Sequence, residues 1–390
     1  MDPERGHREA KQARWAATMI LVAVVLLLTV GVVMLYSVTY QAHGFAFVKR
    51  QLIAVGLGML VAAVILVLPY SWIKWLGVPA YLLSVALLVA VLLVGREVKG
   101  AVRWIRLHDY QFQPSDFAKL ALILGLSWYY TCLKVRIQSF VEGVLVPSFI
   151  TALICGLILL EPDLGTAMLI GAVGMIIIWG VGAWKRYLFL MALVGILGIS
   201  GFILHDEVRY QRIMGFIHPH QMLNSINYQT HQSKIAIGLG GWTGRGLGKS
   251  QQVELLPEAR HDFIFAILAE EWGFLGGMMV LVLYALLFWG AVRLSAIADP
   301  FGSILCWGIG FLFGLQAIIN LGVVTGLLPN KGLPLIFISQ GGSSVLMGLI
   351  GVGLLLRVAR AICQSGEKKQ SVGPTEEVEP LHLLVQEEKA

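Results

Sequence analysis

Long uncharged apolar runs, separated by short polar stretches, dominate the chain. They fall at residues 16–36, 52–68, 75–94, 120–133, 143–160, 164–184, 187–204, 272–292, 301–328 and 332–356. Roughly 20 apolar residues in a helix cross the hydrocarbon of a bilayer, so the pattern predicts an all-α polytopic membrane protein with ten transmembrane helices. The run at 120–133 is short and reaches full length only by taking in Phe117, Ala118 and Lys119, which puts a lysine at the membrane edge. The eighth helix is predicted to start near Phe263, because the stretch from Asp262 to Trp272 reads as helix although it carries Glu270 and Glu271.

Composition agrees with the membrane class. Of 390 residues, 57% are hydrophobic and 13% charged, a balance too apolar for soluble domains of this length. The net charge is +6, but the 29 lysines and arginines are spread over many short loops. That distribution excludes nucleic acid, which needs a clustered basic patch, and suits anionic headgroups and phosphates. Cys132, Cys155, Cys306 and Cys363 show no paired spacing, and the first three sit in apolar runs, so neither a disulfide nor a metal site is expected. The apolar run after Arg5, Arg8, Lys11 and Arg14 is too long for a signal peptide and lacks a cleavage site, so it is an uncleaved first helix.

The basic total is nearly even between the two sides, but Lys134 with Arg136, and Lys185 with Arg186, occupy tight turns on the side of the basic N-terminus. This places both termini in the cytoplasm. The domain reading is a cytoplasmic segment at 1–15, a transmembrane domain at 16–360 and a polar, cytoplasmic, disordered tail at 361–390. Between helices 7 and 8 lies a large extracytoplasmic loop, 205–262, and connections this long are functional or disordered. Residues 226–239, INYQTHQSKIAIGL, read as a short amphipathic helix, followed by GGWTGRGLGKS. A phosphate loop would need Gly where Thr243 stands and a preceding strand, so nucleotide binding is rejected.

Charged groups at membrane depth are costly and mark candidate sites. They are Asp116 and Lys119, Glu161 and Asp163, and Glu258, Asp262, Glu270 and Glu271, with Gln316 and Asn320 as a polar pair one turn apart. Asp262, where the long loop meets a helix, fits either a helix cap or a catalytic carboxylate. Arg103, Arg106 and Lys119 flank QFQPSDFAKL, where Ser115 or Asp116 can cap a helix after Pro114. The three cations suit a diphosphate at the outer headgroup level, with a snorkelling lysine as the plainer alternative. Glu161 to Asp163 reads as turn punctuation, and Glu270 and Glu271 as structural pairing groups. The small residues of GLPLIFISQGGSSVL suit either close helix packing or a cavity-lining break.

Six motifs then carry a resemblance: GAVRWI at 100–105, QPSDFAKLAL at 113–122, EPDLGTA at 161–167, QTHQSKIAIGLGGWTGRGLGKS at 229–250, LPEARHDFIFAILAEEWG at 256–273 and PNKGLPLIFISQGGSS at 329–344. From about Ala16 to Arg360 the chain resembles the SEDS family (shape, elongation, division and sporulation), the group of FtsW, RodA and SpoVE. The resemblance implies ten helices with both termini cytoplasmic, in the bacterial cytoplasmic (inner) membrane. It also implies peptidoglycan glycosyltransferase activity on lipid II, beside a class B penicillin-binding protein and the divisome. The family's essential aspartate falls on Asp262, and its PSE-x-x-K-like motif on Asp116 and Lys119. Substrate-binding roles are implied for Glu258, for Gln232 and Ser233 of QTHQSK, and for Ser343 and Ser344 of QGGSS. Asp116 departs from the usual Glu, Glu161 from the usual Gln, and Gln340 from a common Tyr. PNKGLPL resembles the septal FtsW branch more than RodA.

The implied reaction joins the 4-hydroxyl of one GlcNAc to the anomeric carbon of another molecule's MurNAc, expelling undecaprenyl diphosphate with inversion. Diphosphate leaves well, so one general base suffices, and Asp262 is the expected base. Arg103 and Lys119, with Lys249 or Arg245, are the expected cations for the developing negative charge. No residue cluster has a recognisable metal-ligand spacing, so no cofactor is assigned, although a divalent cation would serve the same charge. The rival readings are a lipid II flippase and a non-catalytic scaffold for the transpeptidase.

Overall fold

A computed structural model describes residues 3–98, 101–107, 110–133, 135–218, 227–330 and 332–371. Lys134, the 219–226 part of the long loop, Lys331 and the tail from 372 lie outside the described residues, as does the side chain of Arg106. The first helices are α1 (Pro3–His43), α2 (Ala46–Val67), α3 (Tyr70–Trp75) and α4 (Gly77–Val94). Three short strands follow: β1 (Arg96–Val98), β2 (Ala101–Leu107) and β3 (Tyr110–Phe112). Then come α5 (Pro114–Cys132), a π-helical turn (Val141–Leu145), α6 (Val146–Leu160), α7 (Leu164–Gly180) and α8 (Lys185–Leu204). The chain continues through α9 (Glu207–Ile217), α10 (Tyr228–Gly240), α11 (Ile264–Ile297), α12 (Pro300–Val324) and α13 (Gly342–Ser371).

Eight of these helices are long and apolar enough to cross a membrane, and α7 is a shorter apolar helix. Enclosure grades across the bundle. α12 and α13 bury the largest share of their apolar windows and α8 the smallest, with only Leu188 of α8 buried. Close approach uses small residues: a β-carbon on Gly290 would lie 2.7 Å from Ile20, and one on Gly353 would lie 2.9 Å from the backbone of Ala62.

Besides the tenth predicted span, 332–356, whose helix α13 begins only at Gly342, three features differ from the sequence reading. The strands β1, β2 and β3 form an antiparallel sheet in that order, so the protein is not strictly all-α. AVRWIRL carries the alternating β-branched and aromatic signal, too short to compete with its apolar flanks. α1 starts at Pro3 rather than near residue 16, because REAKQAR contains good helix formers. α13 runs on to Ser371, past the expected start of the tail. The two extensions hold each other: the thiol of Cys363 donates to the carbonyl of Ala10 at 3.6 Å, and the bare α-carbon of Gly366 admits the Gly6 carbonyl.

Candidate active site

The long loop is partly helical, and its glycine-rich end repairs a break in α11. Gly273 has φ 68° and interrupts that helix. A broken helix at membrane depth must recover its backbone hydrogen bonds from protein. Arg245 and Gly246 donate their amides to the carbonyls of Glu270 and Glu271, each at 3.0 Å. Reciprocally, Phe274 and Leu275 donate to the carbonyls of Gly241 and Trp242 at 2.9 and 3.2 Å. The glycines thus serve backbone pairing: Gly244 sits at φ 80°, where a β-carbon would overlap the Glu271 carbonyl. The side chain of Glu270, fully buried, accepts from the Ser250 hydroxyl (2.5 Å) and the Gln251 amide (2.9 Å), with Arg245 at 3.6 Å. Glu271 accepts from the Ser37 hydroxyl of α1 at 2.6 and 2.8 Å. These carboxylates have the structural pairing role expected of them, although the basic partner of Glu270 comes from the loop rather than from another helix.

A second irregular segment, residues 332–341, enters the bundle. Leu333, Leu335, Ile336, Phe337 and Ile338 are all buried, so their backbone groups also need partners. Polar side chains in otherwise apolar helices supply them. Asn320 donates to Leu333 O at 2.7 Å, Gln316 to Pro334 O at 2.8 Å, Tyr284 to Ile336 O and Gln51 to Ser339 O at 3.3 Å. His261 Nδ1 lies 2.9 Å from the Gln340 carbonyl. A carbonyl only accepts, so this nitrogen carries the proton.

Asp262 stands where these two segments meet. The N-cap of α11 is Phe263 and no side chain caps that helix, so the helix-cap alternative for Asp262 is not the arrangement found. Its carbonyl accepts from Asn320 Nδ2 at 2.8 Å, the same nitrogen that holds Leu333. Its carboxylate packs against Gly332, where a β-carbon would lie 2.5 Å from Oδ2. Glu258 Oε2 is 4.0 Å from His261 Nε2, one turn before Asp262.

One turn along α12 from Asn320, Gln316 leads to a buried ion pair. Lys119 Nζ lies 2.8 Å from Asp116 Oδ1 and 3.4 Å from Gln316 Oε1, and Asp116 and Lys119 are 4% and 6% exposed. Lys119 therefore does not snorkel. Neither Ser115 nor Asp116 caps α5, whose N-cap is Gln113 and whose first position is Pro114. The pair opens on a small cleft lined by Asp116, Lys119, Leu312, Phe313, Gln316, Ile336, Ser344 and Met347. Ser343, next to Ser344, accepts the Gln113 amide at 3.3 Å. Asp262, Asp116, Lys119, Ser343 and Ser344 are thus gathered at one end of the bundle through α12.

The other expected residues lie around that centre rather than in it. Arg103, on β2, donates to the carbonyls of Glu161 (3.1 Å) and Pro162 and lies 3.9 Å from Asp163 Oδ2. Asp163 accepts from the Thr166 amide at 3.2 Å and so caps α7. Burial, reinforced by the charge of Asp163 and opposed by Arg103, pushes the Glu161 carboxyl up to about 8. Arg245 is held by Glu270 and by Gln251 at 2.8 Å, about 12 Å along α11 from Asp262. Lys249 is exposed. Ser233 is buried and donates to Val324 O at 2.7 Å, fastening α10 to α12, with half-buried Gln232 beside it. The hydroxyl of Ser233 is committed to that packing, away from the cleft. Sequence reasoning left Gln51, Tyr284, Gln316 and Asn320 without site roles. The signal was a set of polar groups in apolar helices, with Gln316 and Asn320 at helical spacing.

Fold and site define a polytopic helical membrane protein whose acidic and cationic groups converge at one end of the bundle. The chain belongs to the Cell cycle protein family of FtsW, RodA and SpoVE, whose model matches residues 17–363. It is 38% identical over 354 residues to a Trichlorobacter lovleyi protein named probable peptidoglycan glycosyltransferase FtsW, covering 88% of this chain and 93% of that one. A protein of the same name from Halomonas elongata is 37% identical, with 91% and 93% covered. Among solved structures, a chain of a peptidoglycan synthase complex that coordinates polymerization and crosslinking superposes with TM-score 0.77 at 30% identity, over 88% of this chain and 98% of that one. The Thermus thermophilus rod shape determining protein RodA gives TM-score 0.67 at 32% identity, with 87% and 95% covered.

Proposed function

We propose that this protein is an inverting peptidoglycan glycosyltransferase that polymerises lipid II in septal wall synthesis. The observation that carries the reading is the seating of Asp262: its backbone is clamped by Asn320, its carboxylate lies against Gly332, and α12 joins it to the Lys119 cleft. Asp262 takes the proton of the acceptor's 4-hydroxyl as that oxygen bonds to the donor's anomeric carbon. The anomeric bond to phosphate breaks, and undecaprenyl diphosphate leaves with the electron pair. Lys119 faces the charge that develops there, with Asp116 holding it in place and Arg103 bracing the α6–α7 turn outside the cleft. Ser343, Ser344 and Glu258 bind at the rim; Arg245, Lys249, Gln232 and Ser233 support the loop over it.

The membrane reading that goes with this counts ten spans: the eight long apolar helices, α7 and the 19-residue α5. Both termini are cytoplasmic, so the site end faces outward in the bacterial cytoplasmic membrane, where lipid II meets a class B penicillin-binding protein and the divisome. Maleimide labelling of Leu247→Cys from outside tests the orientation, and labelling only from the cytoplasmic side reverses it.

The deciding experiment is polymerisation of lipid II by the purified protein, alone and with its transpeptidase. Asp262→Asn keeps the volume and removes the basic carboxylate. Losing a general base costs about 100- to 10,000-fold in rate, so the glycan ladder disappears while insertion and complex formation persist. Polymerisation by Asp262→Asn near the parental rate would move the base to another residue, Glu258 first.

A further inference from the structure

The opposite end of the bundle holds cations in excess of their partners. Arg357, 6% exposed on α13, donates through Nε to Leu68 O at 2.8 Å, and Arg360, one turn on, donates to Leu66 O at 2.9 Å. Both guanidinium groups therefore rest on the carbonyl end of α2. Arg357 Nη1 is buried with no hydrogen-bond partner. Lys74 Nζ is 4.9 Å and the Arg357 guanidinium 5.5 Å from the centre of the Tyr70 ring. The adjacent carboxylate, Asp299, is already taken up. It accepts from the Tyr70 hydroxyl at 2.6 Å, Lys74 at 2.8 Å and the Gly302 amide at 3.3 Å. Among the described residues neither arginine has a carboxylate partner. A guanidinium carries five donors, and neutral carbonyls satisfy only some of them.

The setting points to the ligand. Trp72 and Trp75 of α3, beside Lys74, are 62% and 72% exposed, and exposed tryptophans of this kind mark the membrane–water interface. The arginines therefore lie at headgroup depth, Arg357 about 21 Å and Arg360 about 26 Å along α13 from Ser343. We propose that Arg357 and Arg360, with Lys74, bind the phosphate of an anionic phospholipid headgroup. A phosphate oxygen drawn between the two guanidinium groups gives Nη1 the acceptor it lacks, in a charge-assisted bond. The site is separate from the glycosyltransferase centre, and its test does not depend on that activity.

Native mass spectrometry of the purified full-length protein, offered phosphatidylglycerol or phosphatidylcholine, reads the site directly. The wild type retains phosphatidylglycerol with about tenfold preference, and Arg360→Gln reduces this to about twofold. Arg293→Gln is the control, because Arg293 lies at the same end with its guanidinium 5.1 Å from the Trp289 ring. It leaves the preference unchanged. Equal losses in both variants indicate diffuse charge and overturn the site, as does an unaltered preference in Arg360→Gln. Inorganic phosphate separates the two sources of the same chemistry: it does not raise the thermal midpoint as phosphatidylglycerol does. A matching rise assigns the site to free anions and removes the lipid.

Discussion

Asn320 Nδ2 donates to the carbonyl of Asp262 at 2.8 Å and to that of Leu333 at 2.7 Å. One amide on α12 thereby fixes the candidate base and the segment that walls it. Asn320→Leu keeps the volume and removes both bonds. A misplacement of about 1 Å costs on the order of 100-fold in rate, so kcat falls by about 10- to 100-fold with little change in KM. A parental kcat in steady-state lipid II turnover would make Asn320 a packing residue only.

Asp116 and Lys119 form a buried pair at 2.8 Å, and removing one member strands the other. Lys119→Met destabilises by about 3–5 kcal/mol. Replacing the pair together, as Asp116→Asn with Lys119→Met, recovers most of that stability. Polymerisation stays lost. Thermal melts of the single and double variants, run beside turnover assays, separate the ion pair's structural part from its charge on the diphosphate.

Glu161 has a carboxyl raised to about 8 by burial in the α6–α7 turn. The folded state therefore holds this proton over a pH range in which the unfolded chain, near the ordinary carboxylate value, has released it. Stability contributed by the neutral form is full below about pH 4.5 and falls by about 1.4 kcal/mol per pH unit up to about pH 8. Above that the difference is constant. Glu161→Gln lacks this slope, so its melting temperature rises relative to wild type from pH 5 to pH 8 and then runs parallel. Parallel curves throughout would mean that Glu161 is ionised in the fold.

Gly244 and Gly246 both have positive φ, at 80° and 98°, but differ in surroundings. Alanine at 246 meets only the flexible Lys249 side chain, at 3.5 Å, and costs about 1–2 kcal/mol through backbone conformation. Gly244→Ala adds an overlap with the Glu271 backbone, so its cost exceeds that of Gly246→Ala by at least about 1 kcal/mol. Limited proteolysis of the 241–252 loop shows the same order. Equal effects would dissociate the loop from the α11 break.

How much was legible in the chain depended on the range of the interaction. Apolar runs are read within a single helix, so α4, α6, α7, α8 and α12 came close to their observed limits. The resemblance marked Asp262, Asp116 and Lys119 because those residues recur in ordered motifs. The glycine-rich stretch failed the phosphate-loop pattern, but its partner, a break at Gly273, lies some 30 residues away and has no local signature.

By itself, then, the sequence determined a helical membrane protein, its family, and the charged residues at membrane depth, because hydrophobic length and motif order are properties of neighbouring residues. The tertiary structure decided what each polar group does. Glu270 and Asp262 are both carboxylates near the start of one helix, yet the first is consumed by Ser250, Gln251 and Arg245, while the second is held through its backbone carbonyl by Asn320. Buried backbone and charge must find partners wherever the fold brings them. Those partners come from α1, α12 and two irregular loops far apart in the chain, so only packing assigns them.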